Sequence, residues 1–141
     1  MITATRYHDF CAGHRVAGHE NKCARLHGHN YRIHFHVAAS ELDTLGRVMD
    51  FSVIKERLCD WLEENWDHKF LVWEHDPKRY KLGRAFSDDM VITPFNPTAE
   101  NMAQYLCETI APDALAGSGC VLMKCVVEET RKCSASYEVR L

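Results

Sequence analysis

The sequence predicts an α+β domain built from two antiparallel strand pairs with two amphipathic helices between them. Three observations carry that prediction. Near both ends of the chain, apolar and polar residues alternate with the period of a half-buried strand. Two middle stretches repeat their apolar residues every three or four positions, as a helix with one buried face does. Near Thr130-Arg131-Lys132 a tight connection joins two extended stretches, which reads as a hairpin. The 141 residues fit one domain over 1–141, large enough to bury a real core.

Taken in order, residues 2–12 read as a strand ending near Ala12-Gly13, with Phe10, Ala12 and His14 on one face if the chain stays extended that far. Residues 15–26 are polar and irregular and read as a loop. Residues 28–39 give the clearest strand: Tyr31, Ile33, Phe35 and Val37 alternate with Asn30, Arg32, His34 and His36. Gly46 marks a turn region over 40–47. A helix follows over about 52–65, with Ser52 as its N-cap and Ile54, Leu58, Trp61 and Leu62 as its stripe. The apolar run 70–73 has no clear period. Residues 74–90, interrupted by Pro77 and Gly83, read as a charged excursion with a helical turn or more, and 90–93 as a short strand. Thr98 caps a second helix with Ala99, Met102, Leu106 and Ile110 buried, ended by Pro112. Strands over 120–128 and 132–140 complete the chain. Both helices are expected on one sheet face. The other face is expected to be apolar and uncovered in a monomer, and its two free edges point to an oligomer.

Composition excludes some classes of function. The formal net charge is −3, so no basic surface calls for nucleic acid. No apolar run is long enough to span a bilayer, and Met1 to His8 has no signal-peptide core. Seven cysteines, an odd number without a secretory signal, suit a reducing compartment, so the expected location is cytoplasmic. Cys59, Cys107, Cys120 and Cys125 fall within regular elements and read as buried small hydrophobes. Cys23 differs, because Lys22, Arg25 and two histidines surround it, and nearby positive charge favours a thiolate.

The chemistry gathers between Cys23 and Tyr31, in Cys-Ala-Arg-Leu-His-Gly-His-Asn-Tyr. His27 and His29 are two apart, in phase with the apolar face of the strand, and so project together. His14 lies near the end of the preceding strand. Three neutral imidazoles with a fourth position open is a catalytic zinc arrangement. A Cys-His₃ structural zinc, with Cys23 as fourth ligand, is the alternative and leaves no room for substrate. His34 and His36 fall on the opposite face and stay outside the site. Asp67-His68 is an ordinary surface pair or an oriented proton-transfer pair. Glu128-Glu129 is a strand-end charge pair or the acceptor of two N–H donors from a guanidine-like ring edge.

Six segments together resemble the family of 6-pyruvoyl-tetrahydropterin and 6-carboxy-tetrahydropterin synthases: Phe10–His14, Cys23–Tyr31, Val48–Phe51, Trp66–Lys69, Asn96–Asn101 and Val127–Thr130. The thiol four residues before the first histidine is similar to the bacterial carboxy-forming members. The resemblance implies a tunnelling fold, a four-stranded antiparallel sheet with two helices on one face. Trimers close it into a β-barrel, and two trimers stack into a homohexamer. It implies zinc on His14, His27 and His29, and Cys23 as a catalytic residue. Asp67 and His68 would be its partners from a neighbouring subunit, and Glu129, in a Glu-Thr pattern, would anchor the pterin. The implied reaction takes 7,8-dihydroneopterin triphosphate to 6-carboxy-5,6,7,8-tetrahydropterin, acetaldehyde and triphosphate, in queuosine and 7-deazapurine biosynthesis. Lys22, Arg15 and Arg25 are the candidate cations for the triphosphate. The alternatives are a pyruvoyl-forming or side-chain-cleaving activity on the same fold, or a non-enzymatic zinc module. The segment from about Glu74 to Pro94 is longer than in compact members of the family.

Overall fold

The computed structural model describes residues 1–140 of the chain. In order, its elements are β1 (Ile2–His14), β2 (His27–Ala39), helix α1 (residues 51–65), β3 (Phe70–Trp73), α2 (Arg79–Phe86), β4 (Met90–Thr93), α3 (residues 99–114), β5 (Cys120–Glu128) and β6 (Ser134–Glu138). A single 3₁₀ turn, Lys22–Ala24, lies in the loop between β1 and β2.

All strands join one sheet in the order β4-β3-β1-β2-β5-β6. The antiparallel part is β1, β2, β5 and β6, the four long strands expected from the sequence, three by alternation and β5 as a run apolar on both faces. β1 and β2 pair over their full 13 residues each, from Ile2 opposite Ala39 to His14 opposite His27. The sheet is not four-stranded, however. β3 runs parallel to β1 and meets it at Gly13 and His14, and β4 runs parallel to β3. Parallel neighbours need a crossover, and α2 supplies it. The charged excursion thus carries the helix of a β-α-β unit whose strands flank it, and a third helix joins the two expected. Its strands are four residues long, too short for a period to show.

α1 and α3 bury their stripes on one sheet face. Ile54, Leu58, Leu62 and Trp66 meet Met102, Ala103 and Leu106 over Tyr31, Ile33, Phe35 and Val127, all buried. α1 begins at Phe51, one residue before the expected start, and its cap lies two residues earlier than expected. Asp50, not Ser52, is its cap, and the Asp50 carboxylate accepts from the Ser52 N–H at 2.9 Å and the Ser52 hydroxyl at 2.8 Å. Thr98 caps α3 as expected, accepting from the Asn101 N–H at 3.1 Å. Each helix carries one π-helical stretch, Lys55–Cys59 and Leu106–Ile110. No helix is long and apolar enough to cross a membrane, among the described residues.

The helix-free face of the β1–β2 ladder is polar, which overturns the expectation of an uncovered apolar surface. Arg32 donates to both oxygens of Asp9 at 2.7 and 3.0 Å and lies over the Tyr7 ring. His36 bonds Thr5 at 3.1 Å, and His34 pairs with Glu128. The tempting apolar positions of β2 all point the other way, into the helices.

Gly13 is where β3 docks. A Cβ there would sit 2.5 Å from Cδ2 of Phe70, closer than real Cβ atoms come. Gly83, inside α2, has open space around it. We expect Gly13→Ala to destabilise the fold by about 1–3 kcal/mol through overpacking. Gly83→Ala should be neutral or stabilise by up to about 1 kcal/mol through helix propensity. Urea unfolding of the two variants beside the parent checks both, and equal midpoints would refute the close-approach argument.

Candidate metal centre and active-site groove

Register assembles the three histidines. His14 is the cross-strand partner of His27, and His29 stands opposite Ala12. Cross-strand partners share a face, as do residues two apart on one strand, so all three rings project together. One ligand nitrogen from each lies within 4.8 Å of the others. Ring centroids are 4.6 Å apart for His14 and His27, 5.0 Å for His14 and His29, and 4.9 Å for His27 and His29.

Backbone carbonyls set the tautomers. His14 Nδ1 is 2.6 Å from the Pro97 carbonyl oxygen, and His27 Nδ1 is 2.8 Å from that of Arg25. A carbonyl only accepts, so each Nδ1 carries its proton and each Nε2 keeps a free lone pair. His14 Nε2 and His29 Nε2 stand 3.1 Å apart. Burial pushes His14 down to about 4, with the Pro97 carbonyl opposing and the other two imidazoles adding. Burial, then the charge of His27, also lowers His29. Three imidazoles with converging ligand nitrogens are a donor set that fits a tetrahedral zinc-type ion with a position to spare. Cys23 is not in the cluster.

The Asn96-Pro97-Thr98 turn holds this corner. The Asn96 side chain makes reciprocal bonds to the backbone of Ala17, accepting at 3.1 Å and donating at 2.9 Å, while Asn101 donates to the Asn96 carbonyl at 2.9 Å. The turn therefore grips the chain three residues past His14 and presents the Pro97 carbonyl to its ring. The Tyr31 hydroxyl lies 3.3 Å from the same Nδ1.

Glu129 and Glu128 separate by parity. Glu129 continues the phase of Cys125 and Val127, and its carboxylate oxygens lie 4.0 Å from His14 Nε2 and 3.9 Å from His29 Nε2. Burial, then the charge of Glu100, raises its carboxyl above the ordinary value, against the pull of His27. Glu128 faces the other way, onto His34. The setting aside of His34 from the site therefore accounts for Glu128 as well.

Asp67 and His68 follow α1 and lie against β1. Asp67 Oδ1 accepts from the Cys11 N–H at 3.1 Å, and Oδ2 lies 2.8 Å from His68 Nδ1. Partial desolvation works against the Asp67 carboxylate, yet the His68 ring and the Cys11 N–H hold its carboxyl below the ordinary value. The His68 N–H donates to the Cys11 carbonyl at 2.6 Å, and its side chain is 79 % exposed. A groove of about 1230 Å³ runs between these elements, lined by His29, Tyr31, Asp67, His68, Glu129 and Arg131 among others. Cys23, half-buried in the 3₁₀ turn, is not part of its lining. One chain thus brings His29, Glu129 and the Asp67-His68 pair to one groove, whose lining includes neither His14 and His27 nor the Cys23 thiol.

Of the three candidate cations, Lys22 and Arg25 are exposed. Arg15 is not available for a triphosphate. It is buried, donates from Nε to Asp76 Oδ2 at 2.5 Å and from a terminal nitrogen to the Ala24 carbonyl at 2.7 Å. Position in the loop suggested a free cation, and only the fold reveals the partner 61 residues away. Nothing in the sequence around Asp76 marks it. Arg131, beside Glu129 in the groove, was also missed, although its place in the hairpin turn next to a site carboxylate was a usable signal.

The shift at His14 has a measurable consequence in metal-free protein. Its folded value, about 4, lies below the ordinary 6.5, so between these values the unfolded chain binds a proton that the native one refuses. We expect stability to fall as pH drops from about 6.5 to about 4 and to lose this dependence below that. His14→Gln should flatten the same window in chelator-treated protein, and parallel curves for variant and parent would exclude His14 as the cause.

The model of the family described as 6-pyruvoyl tetrahydropterin synthase matches residues 3–140. The chain is 37 % identical over 134 residues to a 6-carboxy-5,6,7,8-tetrahydropterin synthase of Rickettsia felis, covering 94 % of this chain and 97 % of that one. It is 34 % identical over 126 residues to the Aquifex aeolicus protein of the same name, covering 84 % and 76 %. Among solved structures, an uncharacterised protein of Wolinella succinogenes superposes with a TM-score of 0.87 at 23 % identity, covering 99 % and 98 %. The 6-pyruvoyl tetrahydropterin synthase of Caenorhabditis elegans does so at 0.70 and 24 %, covering 99 % and 96 %. These two share the fold. The six-stranded sheet, the histidine cluster at the β1–β2 end and the match over nearly the whole length agree, and the chain belongs to the 6-pyruvoyl tetrahydropterin synthase family.

Proposed function

We propose that this chain is a zinc-dependent 6-carboxy-5,6,7,8-tetrahydropterin synthase acting on 7,8-dihydroneopterin triphosphate, with acetaldehyde and triphosphate as co-products. The observation that carries the reading is the convergence of three imidazoles beside one half-buried carboxylate, with His29 and that carboxylate, Glu129, lining an open groove. Relatives bearing that name at 37 % identity select this chemistry within the family.

His14, His27 and His29 would hold the ion, which when bound supplies Lewis acidity toward the substrate's side-chain oxygens. Glu129 accepts N–H donors from the amino-pyrimidine edge of the pterin and so fixes which carbon faces the histidines. Cys23 takes a proton from the side chain, a step that needs thiolate character. His68 moves a second proton, with Asp67 fixing its tautomer through Nδ1 and leaving Nε2 outward. Each complete site would draw Cys23 and the Asp67-His68 pair from different subunits, as the family likeness implies, and the outward-turned His68 ring fits that arrangement.

The assembly is a homohexamer of two trimers. β4 and β6 leave open edges, and β1 pairs with β3 only at Gly13 and His14. Joining chains edge to edge closes such a sheet. The polar helix-free face then lines the interior. All seven cysteines are free, which fits a reducing, cytoplasmic setting and a role in queuosine or other 7-deazapurine synthesis.

Incubating zinc-loaded protein with dihydroneopterin triphosphate and weighing the pterin product tests the reading. A carboxy-tetrahydropterin is expected; a pyruvoyl product would move the chain to the other branch of the family, and unchanged substrate would sink the enzymatic reading. Cys23→Ala should keep its zinc and lose about 10²–10⁴-fold in kcat. Loss of zinc with the thiol would instead support the structural Cys-His₃ site.

A further inference from the structure

We propose that Arg15 and Asp76 form a positioning pair that holds the Cys23 turn in place, and that this is one task of the β3–α2–β4 unit. The inference rests on the catalytic reading of Cys23.

The loop between β1 and β2 is closed at its base by two bonds. The Val16 N–H donates to the Cys23 carbonyl at 2.8 Å, and the Arg15 guanidinium donates to the Ala24 carbonyl at 2.7 Å. The carbonyls on both sides of the Ala24 N–Cα–C unit are thus tied to the two residues that follow His14. The same guanidinium is anchored on Asp76 through its Nε, at 2.5 Å. Asp76 is fixed in turn. Its Oδ1 accepts from the Lys78 N–H at 2.9 Å, its own N–H donates to the Trp73 carbonyl at 2.9 Å, and its carbonyl accepts from the Arg79 N–H at 3.1 Å. It is the corner between β3 and α2.

The pair is buried, with 10 % of the Arg15 side chain and none of that of Asp76 exposed. A buried ion pair contributes little net stability, because desolvating both charges offsets their attraction, and an apolar pair of similar size often does as well. What it adds is direction. A guanidinium presents donors in a fixed fork, and this fork joins two chain segments that share no strand pairing. One of those segments carries the thiol, and the other is anchored through β3 on Gly13, next to the metal-cluster residue His14. His14 does not depend on the pair directly, since the Pro97 carbonyl orients it, and His27 feels the pair only through Arg25, the residue after Ala24. Loss of the pair should therefore misplace Cys23 more than it disturbs the ion, and a misplacement of order 1 Å costs about 10²-fold in rate.

The test is Asp76→Asn, with Arg15→Lys as a second variant that keeps the charge but replaces the fork by a point donor. Each is loaded with zinc, and its zinc content and thermal melt are measured. Cys23 alkylation by iodoacetamide is followed by peptide mass, against exposed Cys133 as internal reference. kcat and KM are measured on dihydroneopterin triphosphate. We expect full zinc content, kcat reduced about tenfold or more with KM changed less than about threefold, and a several-fold change in the Cys23 rate with none at Cys133. Arg15→Lys should show the same pattern if Asp76→Asn does not fold. A folded, zinc-loaded variant of either kind with parental kcat and parental Cys23 reactivity overturns the proposal, as does a loss that appears only as lower melting or lower zinc content. If the parent itself turns over no substrate, the functional reading has failed, and the alkylation ratio still decides whether the pair positions the thiol.

Discussion

His14 stands opposite His27 at the end of a 13-residue ladder, and the rest of the site depends on that register. A slip of one residue would turn the histidines of β2 to the polar face. The ladder is protected against such a slip by its own pattern, because Tyr31, Ile33, Phe35 and Val37 would leave the core with them. Burying one such side chain stabilises by about 1.5–3 kcal/mol, so a wrong register would forfeit several such contributions at once. The metal ligands therefore inherit their precision from hydrophobic burial further along the same strand. The cluster needs no order of its own beyond the two carbonyls that fix Nδ1 of His14 and His27.

The same economy runs through the corner around β3. Gly13 lets Phe70 approach β1, the parallel pairing brings the start of the β3–α2–β4 unit beside His14, and Asp76 at the end of β3 reaches back to Arg15. One close approach thus couples a late segment of the chain to the loop that carries the thiol. On the opposite side, Asn96 grips Ala17 and aims the Pro97 carbonyl at His14. The loop between β1 and β2 is held from two directions by residues about 60 and 80 positions away.

This division explains what could be read from the sequence. The four antiparallel strands, the two long helices and the three histidines were legible because each rests on a local period or on spacing within one strand. The choice of Glu129 came from family likeness, although parity with Cys125 and Val127 would have given it independently. β3 was not legible as a strand, because four residues are too short for alternation; β4 was expected at 90–93, but the parallel, distant pairing of both strands was not. Arg15 was misjudged for a related reason. A charge in a loop looks solvated until a remote carboxylate is brought against it. The apolar outer face was an error of sign, because β5 looks apolar on both faces in sequence, whereas the partners across β2 and β1 make that surface polar.

His68 shows the remaining constraint. It is the one non-glycine residue with positive φ among the described residues, at 58°, a conformation that side chains other than Gly, Asn and Asp adopt at a cost. Two bonds hold it there. Its N–H donates to the Cys11 carbonyl, and the neighbouring Asp67 carboxylate accepts from the Cys11 N–H. β1 therefore spends one residue's worth of edge pairing on this turn instead of on a strand. The strain turns the His68 ring outward, 79 % exposed, with Nδ1 tied to Asp67 and Nε2 free. The Cys11 bonds make a rigid stem for an outward ring, which is what the proposed assembly, with a site completed by a second chain, would require.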